Sequence, residues 1–276
     1  IDKFSRLNFS ENEHTKGQKL LILGDSIMGN KLMYNNTSYS IEKLTYDRLK
    51  RHKINVINGS IGGYTIQDII VLFALKEIFE KPDYIFINCG YASIRSFLYN
   101  NYENDGSHFR KNIDYFLFLL KTRMILPSFG SSVLKLLYQK MLPSNIRDDL
   151  LSYVSQPGFS LDNKYDKGAA TFLEHYHNLI MIAKSSGAQI VISTIPKYLY
   201  KNSKGNILFD RIINRINAEL IVLSQRHQIR CLDLSKSFSK NSKYFVDQAH
   251  LSHEGMIKVA DFLSKELKIM LSKDEI

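Results

Sequence analysis

The chain has 276 residues, 44% of them hydrophobic and 23% charged, with a formal net charge of +10. These proportions exclude a largely disordered chain, and no apolar run reaches the roughly 18 residues that a membrane-spanning helix needs. Two cysteines, Cys89 and Cys231, exclude a disulfide framework, and neither has the short spacing of a zinc or redox motif.

In chain order, residues 1–18 form a polar stretch that begins at Ile1 and is read as a linker or tail following an N-terminal anchor or a further domain. Residues 19–276 are read as one α/β domain. Short apolar runs at Lys19–Leu23, Ile54–Ile57, Tyr84–Cys89, Gln189–Thr194 and Ile229–Leu232 predict five strands. Between and after them, apolar residues at three- and four-residue spacing predict helices over Ser40–His52, Ile66–Glu80, Ala169–Ser186, Phe209–His227 and His253–Leu271. Strands alternating with helices predict a doubly wound, flavodoxin-like parallel sheet of five strands in a three-layer α/β/α fold.

Between the third and fourth strands, Arg95–Lys167 is too long for a bare loop and predicts a mostly helical insertion. Within it, Tyr115–Leu126 and Ser132–Leu142 combine apolar and basic residues, with Phe116, Phe118, Leu119 and Leu120 beside Lys121 and Arg123. Such a segment serves either as an extra helical layer on the sheet or as a lid or membrane-surface contact that governs substrate choice.

Ligands of doubly wound sheets sit beyond the carboxyl ends of the strands, so the loops opening at Gly24, Asn58, Gly90, Ile195 and Asp233 are where a site is expected. The first of these contains Gly24-Asp25-Ser26. A serine on the turn between a strand and a helix can present its hydroxyl as a nucleophile and use neighbouring backbone N–H groups to hold an oxyanion. Near the other end, Asp247 and His250 lie three residues apart just before the last amphipathic helix. That spacing lets a carboxylate fix one ring nitrogen while the other accepts a serine proton. His253 competes for the role of base on sequence alone.

The positive charge comes mainly from scattered lysines, without an Arg-rich block, an RNA-binding aromatic motif or a Gly-Lys-Ser/Thr phosphate loop. Nucleic acid is therefore not the expected partner. A basic surface suits an anionic polysaccharide or an anionic membrane face.

The motifs together resemble the SGNH, or GDSL, family of esterases, lipases and O-acetyltransferases over most of the chain. The resemblance rests on Gly24-Asp25-Ser26, on Asn58-Gly59-Ser60-Ile61-Gly62-Gly63-Tyr64-Thr65, on Gly90, and on Asp247 and His250 followed by Leu251-Ser252-His253-Glu254-Gly255. It implies that Ser26 is the nucleophile, His250 the base and Asp247 its orienter, and that the N–H groups of Ser26 and Gly63 form an oxyanion hole. Neither metal nor organic cofactor is implied. Where the family has Gly-x-Asn-Asp, this chain has Gly90-Tyr91-Ala92-Ser93, so the oxyanion-holding Asn is replaced by Ala92. Asn88, Asn30 and Ser93 are the substitute donors nearby in sequence. The function expected is a serine-dependent ester hydrolase or O-acyltransferase acting on an acylated glycan or lipid, with a lean to the bacterial cell envelope. The alternative is a catalytically weak or silent domain that binds a glycan or a partner protein.

Overall fold

In the computed structural model, residues 17–29, 40–96, 161–198, 204–238, 241–247 and 249–274 are described. They contain strands β1 (Gln18–Gly24), β2 (Ile54–Asn58), β3 (Tyr84–Asn88), β4 (Gln189–Ser193) and β5 (Arg230–Leu232). Among the described residues, seven α-helices accompany these strands: α1 (Ile41–Leu49), α2 (Ile66–Leu75), α3 (Tyr91–Ser96), α4 (Leu161–Ser185), α5 (Lys204–Arg226), α6 (Leu234–Phe238) and α7 (His253–Asp274). The insertion read over 95–167, with its segments 115–126 and 132–142, lies outside the described residues except at its two helical ends. The polar stretch 1–18 lies outside them up to residue 16.

All strand pairs are parallel, in the order β2-β1-β3-β4-β5. This is the flavodoxin-like doubly wound arrangement. Helices α1 and α7 pack together on one face, while α2, α4 and α5 form the layer on the other. The central strands show why apolar runs were legible as strands. Leu20, Leu21, Ile22 and Leu23 of β1 and all five residues of β3 are buried, as expected where helices cover both faces of a parallel sheet. Burying each such aliphatic side chain contributes about 1.5–3 kcal/mol. The edge strand β5 is only half-buried.

Side chains start the helices that flank the site loops. Ser40 accepts the Lys43 N–H at the start of α1 (3.2 Å). Thr65 and Asp68 form a reciprocal capping box at the start of α2, which satisfies two backbone donors that a helix terminus leaves without partners. Register then sets the site. The last residue of β1, Gly24, pairs with Asn88 of β3, and a Cβ on Gly24 would collide with the Asn88 carbonyl oxygen. Glycine lets the two strand ends approach, so the loops that follow lie side by side.

Candidate active site

Beyond Gly24 the chain turns sharply, and the N–H groups of Met28 and Gly29 donate to the Asp25 carbonyl at 3.2 and 2.9 Å. Ser26 stands at the top of this turn, half-buried, between buried Asp25 and Ile27. The turn thus lifts its hydroxyl off the sheet end.

The loop after α6 reaches Ser26 from the other end of the chain. An antiparallel bridge joins Phe245 to Leu251, and the Val246 N–H donates to the His250 carbonyl at 2.9 Å. Gly255, in the first turn of α7, packs so closely under this loop that a Cβ would fall on the Tyr244 carbonyl oxygen. Lys258 of α7 lies 4.2 Å from the centre of the Tyr244 ring and donates to the Ser237 carbonyl. These contacts hold the loop that carries Asp247 and His250.

His250 Nε2 lies 2.9 Å from Ser26 Oγ, and His250 Nδ1 lies 2.6 Å from Asp247 Oδ2. With Nδ1–H donating to the carboxylate, Nε2 is left to accept the serine proton. Asp247 is itself held by its other oxygen, which accepts the N–H groups of Ala249 (2.9 Å) and His250 (2.7 Å). Burial alone pushes the Asp247 pKa up, but the bonds from the His250 ring and from these two N–H groups outweigh it and keep the carboxyl below its ordinary value. Asp247 is therefore a carboxylate at neutral pH. His253, the competing base, is exposed at the first position of α7.

The second loop brings glycines against Ser26. A Cβ on Gly62 would lie 3.6 Å from Ser26 Cβ, and Gly63 adopts a φ of 82°, a backbone conformation that disfavours side chains. Asn58 Oδ1 shapes the loop by accepting the Ser60 N–H at 2.9 Å, and the Ile61 N–H donates to the Gly24 carbonyl at 3.1 Å. Among the described residues, no acceptor engages the N–H of Ser26 or of Gly63.

The substitute donors suggested by sequence are placed differently. Asn88 is fully buried, and its amide nitrogen donates to Ser193 Oγ (2.6 Å) and the Thr194 carbonyl (3.2 Å) on β4 and its outgoing loop. Both amide protons are thus used inside the fold, and Asn88 does not serve as an oxyanion donor. Ser93 is also buried, and its Oγ accepts the Ile66 N–H at 2.9 Å. It ties the third loop to the start of α2. Asn30 lies outside the described residues.

Asp25 is the residue whose role was missed. It has no exposure to solvent, its Oδ1 accepts the Ile27 N–H (3.0 Å), and its Oδ2 accepts those of Gly90 (3.2 Å), Tyr91 (3.0 Å) and Ala92 (3.4 Å). Burial raises its pKa, and the four N–H donors offset that only in part. Its sequence signal was a lone acid at the end of an otherwise apolar strand, which turn chemistry explained equally well.

Two surface clefts lie elsewhere, one lined by Arg48, Asp261, Lys265 and Lys268 between α1 and α7, the other by Glu174, His177, Glu219 and Arg226 between α4 and α5. Neither contains Ser26, Asp247 or His250. Among the described residues, no group of three or more His, Cys, Asp or Glu side chains is placed to hold a metal ion, and no helix is long and apolar enough to cross a membrane.

Residues 20–263 match the family described as GDSL-like Lipase/Acylhydrolase. Among solved structures, the chain is similar to an acetyl xylan esterase, with a TM-score of 0.54 and 15% identity over 90% of this chain and 98% of that one. It is likewise similar to a lipase/acylhydrolase from Enterococcus faecalis, with a TM-score of 0.54 and 15% identity over 91% and 95% of the two chains. A GDSL-like lipase from Bacteroides thetaiotaomicron gives a TM-score of 0.51 at 11% identity, over 93% and 89%. These likenesses concern the fold. No curated protein matches the sequence significantly.

Proposed function

This chain belongs to the GDSL-like lipase/acylhydrolase family, and from that premise we propose that it is a serine-dependent ester hydrolase or O-acyltransferase working through an acyl-enzyme on Ser26. The observation that supports this reading is the continuous hydrogen-bonded line Ser26–His250–Asp247, at 2.9 and 2.6 Å. Each member has the donor or acceptor the next one needs.

Ser26 Oγ attacks the ester carbonyl carbon, and its proton passes to His250 Nε2. The carbonyl π electrons move onto oxygen, and the resulting oxyanion is held by the N–H groups of Ser26 and Gly63. Asp247 stabilises the imidazolium, which is worth most in a partly water-excluded site. Collapse of the intermediate breaks the bond to the leaving alkoxide, which takes the proton from His250. The acyl group then remains on Ser26. Water, or a sugar hydroxyl in a transferase, gives its proton to His250 and attacks the acyl carbon. A second collapse restores Ser26.

The substrate class we infer is an acylated glycan or lipid of a bacterial envelope. The net charge of +10 supports it, since a basic protein concentrates near anionic polymers and membrane faces. The test is turnover of a short activated ester by the wild type and by Ser26→Ala. The reading predicts that wild-type turnover disappears in the variant. Retention of most activity by folded Ser26→Ala would remove Ser26 from the mechanism.

A further inference from the structure

Two N–H groups can hold an oxyanion only if their separation is fixed, and here they come from loops after different strands, Ser26 after β1 and Gly63 after β2. The first turn of α3, which opens the third loop, follows β3 on the other side of β1 from β2. It is tied to both. On one side Asp25 accepts the N–H groups of Gly90, Tyr91 and Ala92 with one oxygen and that of Ile27, next to the nucleophile, with the other. On the opposite side Ser93 Oγ accepts the N–H of Ile66, the first helical residue of α2, three positions after Gly63. That N–H is one of the donors a helix start leaves without an internal partner.

We propose that the first turn of α3 is a spacer, and that Asp25 and Ser93 are positioning residues that set the geometry between the Ser26 and Gly63 donors. The inference rests on the function proposed above. In place of an Asn that touches the oxyanion, the third loop carries Ala92 and acts through the two neighbouring loops. A carboxyl group suits this work because its two oxygens together offer acceptor positions for all four N–H groups. An amide has a single acceptor oxygen, so Asp25→Asn keeps the shape but leaves either Ile27 or the α3 turn facing an NH₂ group. Ser93→Ala removes the other tie with the loss of one oxygen atom.

The experiment uses the full chain, with Asp25→Asn, Ser93→Ala and the double variant. Steady-state rates on a short activated ester are combined with amide hydrogen exchange read by mass spectrometry. The spacer predicts that kcat falls about ten- to hundred-fold in each folded single variant, the range expected when a group is displaced by less than an ångström or so. KM stays within about twofold, because the negative charge develops only in the transition state. The double variant loses less than the product of the single losses, since both changes loosen one unit. Exchange speeds up over 25–29 and 61–66 in the variants. A purely structural role lowers unfolding stability but leaves kcat of the folded protein unchanged. Folded Ser93→Ala with kcat within about twofold of wild type, or unchanged exchange in both loops, overturns the proposal. If Asp25→Asn does not fold, Ser93→Ala decides by itself. If the wild type neither turns over esters nor reacts at Ser26, the proposed function fails, and exchange alone decides whether the turn holds the two loops.

Discussion

His250 Nε2 lies 2.9 Å from Ser26 Oγ although 224 positions separate the two residues in the chain. The first site loop and the last therefore meet at the carboxyl ends of the strands, and the consequences for activity divide unequally among the residues involved. In the proposed mechanism Ser26→Ala and His250→Ala each remove a group that handles a bond or a proton, and each should lower kcat by about 10⁴-fold or more. Asp247→Asn keeps the shape but replaces the carboxylate that orients the ring. Because Asp247 is 46% exposed, water takes over part of its work, and a loss of about 10²–10³-fold is expected. Steady-state kinetics on one activated ester give the order. A folded His250→Ala as active as wild type, with the loss appearing in His253→Ala, contradicts the assignment of the base.

Ala92 occupies the position where the resemblance places an oxyanion donor. Its N–H is held by Asp25 at 3.4 Å, and its side chain has no donor. Ala92→Asn should raise the acylation rate by about tenfold, toward the contribution of one preformed donor, and the gain should appear in kcat more than in KM. A rate that falls in Ala92→Asn would show that the hole is already complete. Wild type and variant both inert toward esters and toward a fluorophosphonate would favour a binding domain.

Gly255 fixes the height of the loop that carries the histidine. A Cβ there would meet the Tyr244 carbonyl and would lie 3.1 Å from Leu251 Cβ, beside the Phe245–Leu251 bridge that closes this loop. Gly255→Ala should cost about 1–3 kcal/mol of stability, as overpacking against backbone does, and should lower kcat by displacing His250. Urea unfolding and ester turnover check both effects. An unchanged unfolding midpoint with full activity would show that α7 and the loop are not in register contact.

The pKa of Asp247 supplies a test that does not depend on turnover. Its folded value lies below the ordinary 3.8, so the ionised group stabilises the fold above that ordinary value. The contribution is lost as pH falls through the lower folded value. Asp247→Asn should therefore destabilise the protein at about pH 5 and destabilise it less at about pH 3. Denaturant unfolding of both proteins at the two pH values measures the gap. A gap that widens toward pH 3 contradicts the bonding described for Asp247.

Strands were legible to within one or two residues because buried parallel strands are continuous apolar runs bounded by turn residues, as in Leu20–Leu23 and Ile85–Ile87. Helix starts were less so. Helix α4 begins at Leu161 where apolar spacing places it at Ala169, because Asp162, Asn163, Lys164 and Asp166 give no apolar period. Helix α1 stops at Leu49 and tightens into a 3₁₀ turn at Lys50–His52, where the basic run reads as more helix. Asp247 and His250 were legible because three-residue spacing places them together without long-range information. The third loop was not. Whether Asn88 faces the site or β4, and whether Asp25 meets the α3 turn or only its own, is decided by the register of β1 on β3, which a sequence read strand by strand does not contain.

The most direct measurement of the central claim is the mass of the protein caught during turnover of a short activated ester such as an aryl acetate. Quenching in acid within the first turnovers should show a species heavier by one acetyl group, and peptide fragmentation should place the group on Ser26. Ser26→Ala should show none, and His250→Ala should accumulate it far more slowly, since proton removal limits attack. Ester turnover by wild-type protein with no adduct at Ser26, or with the acetyl group on another side chain, would contradict the account.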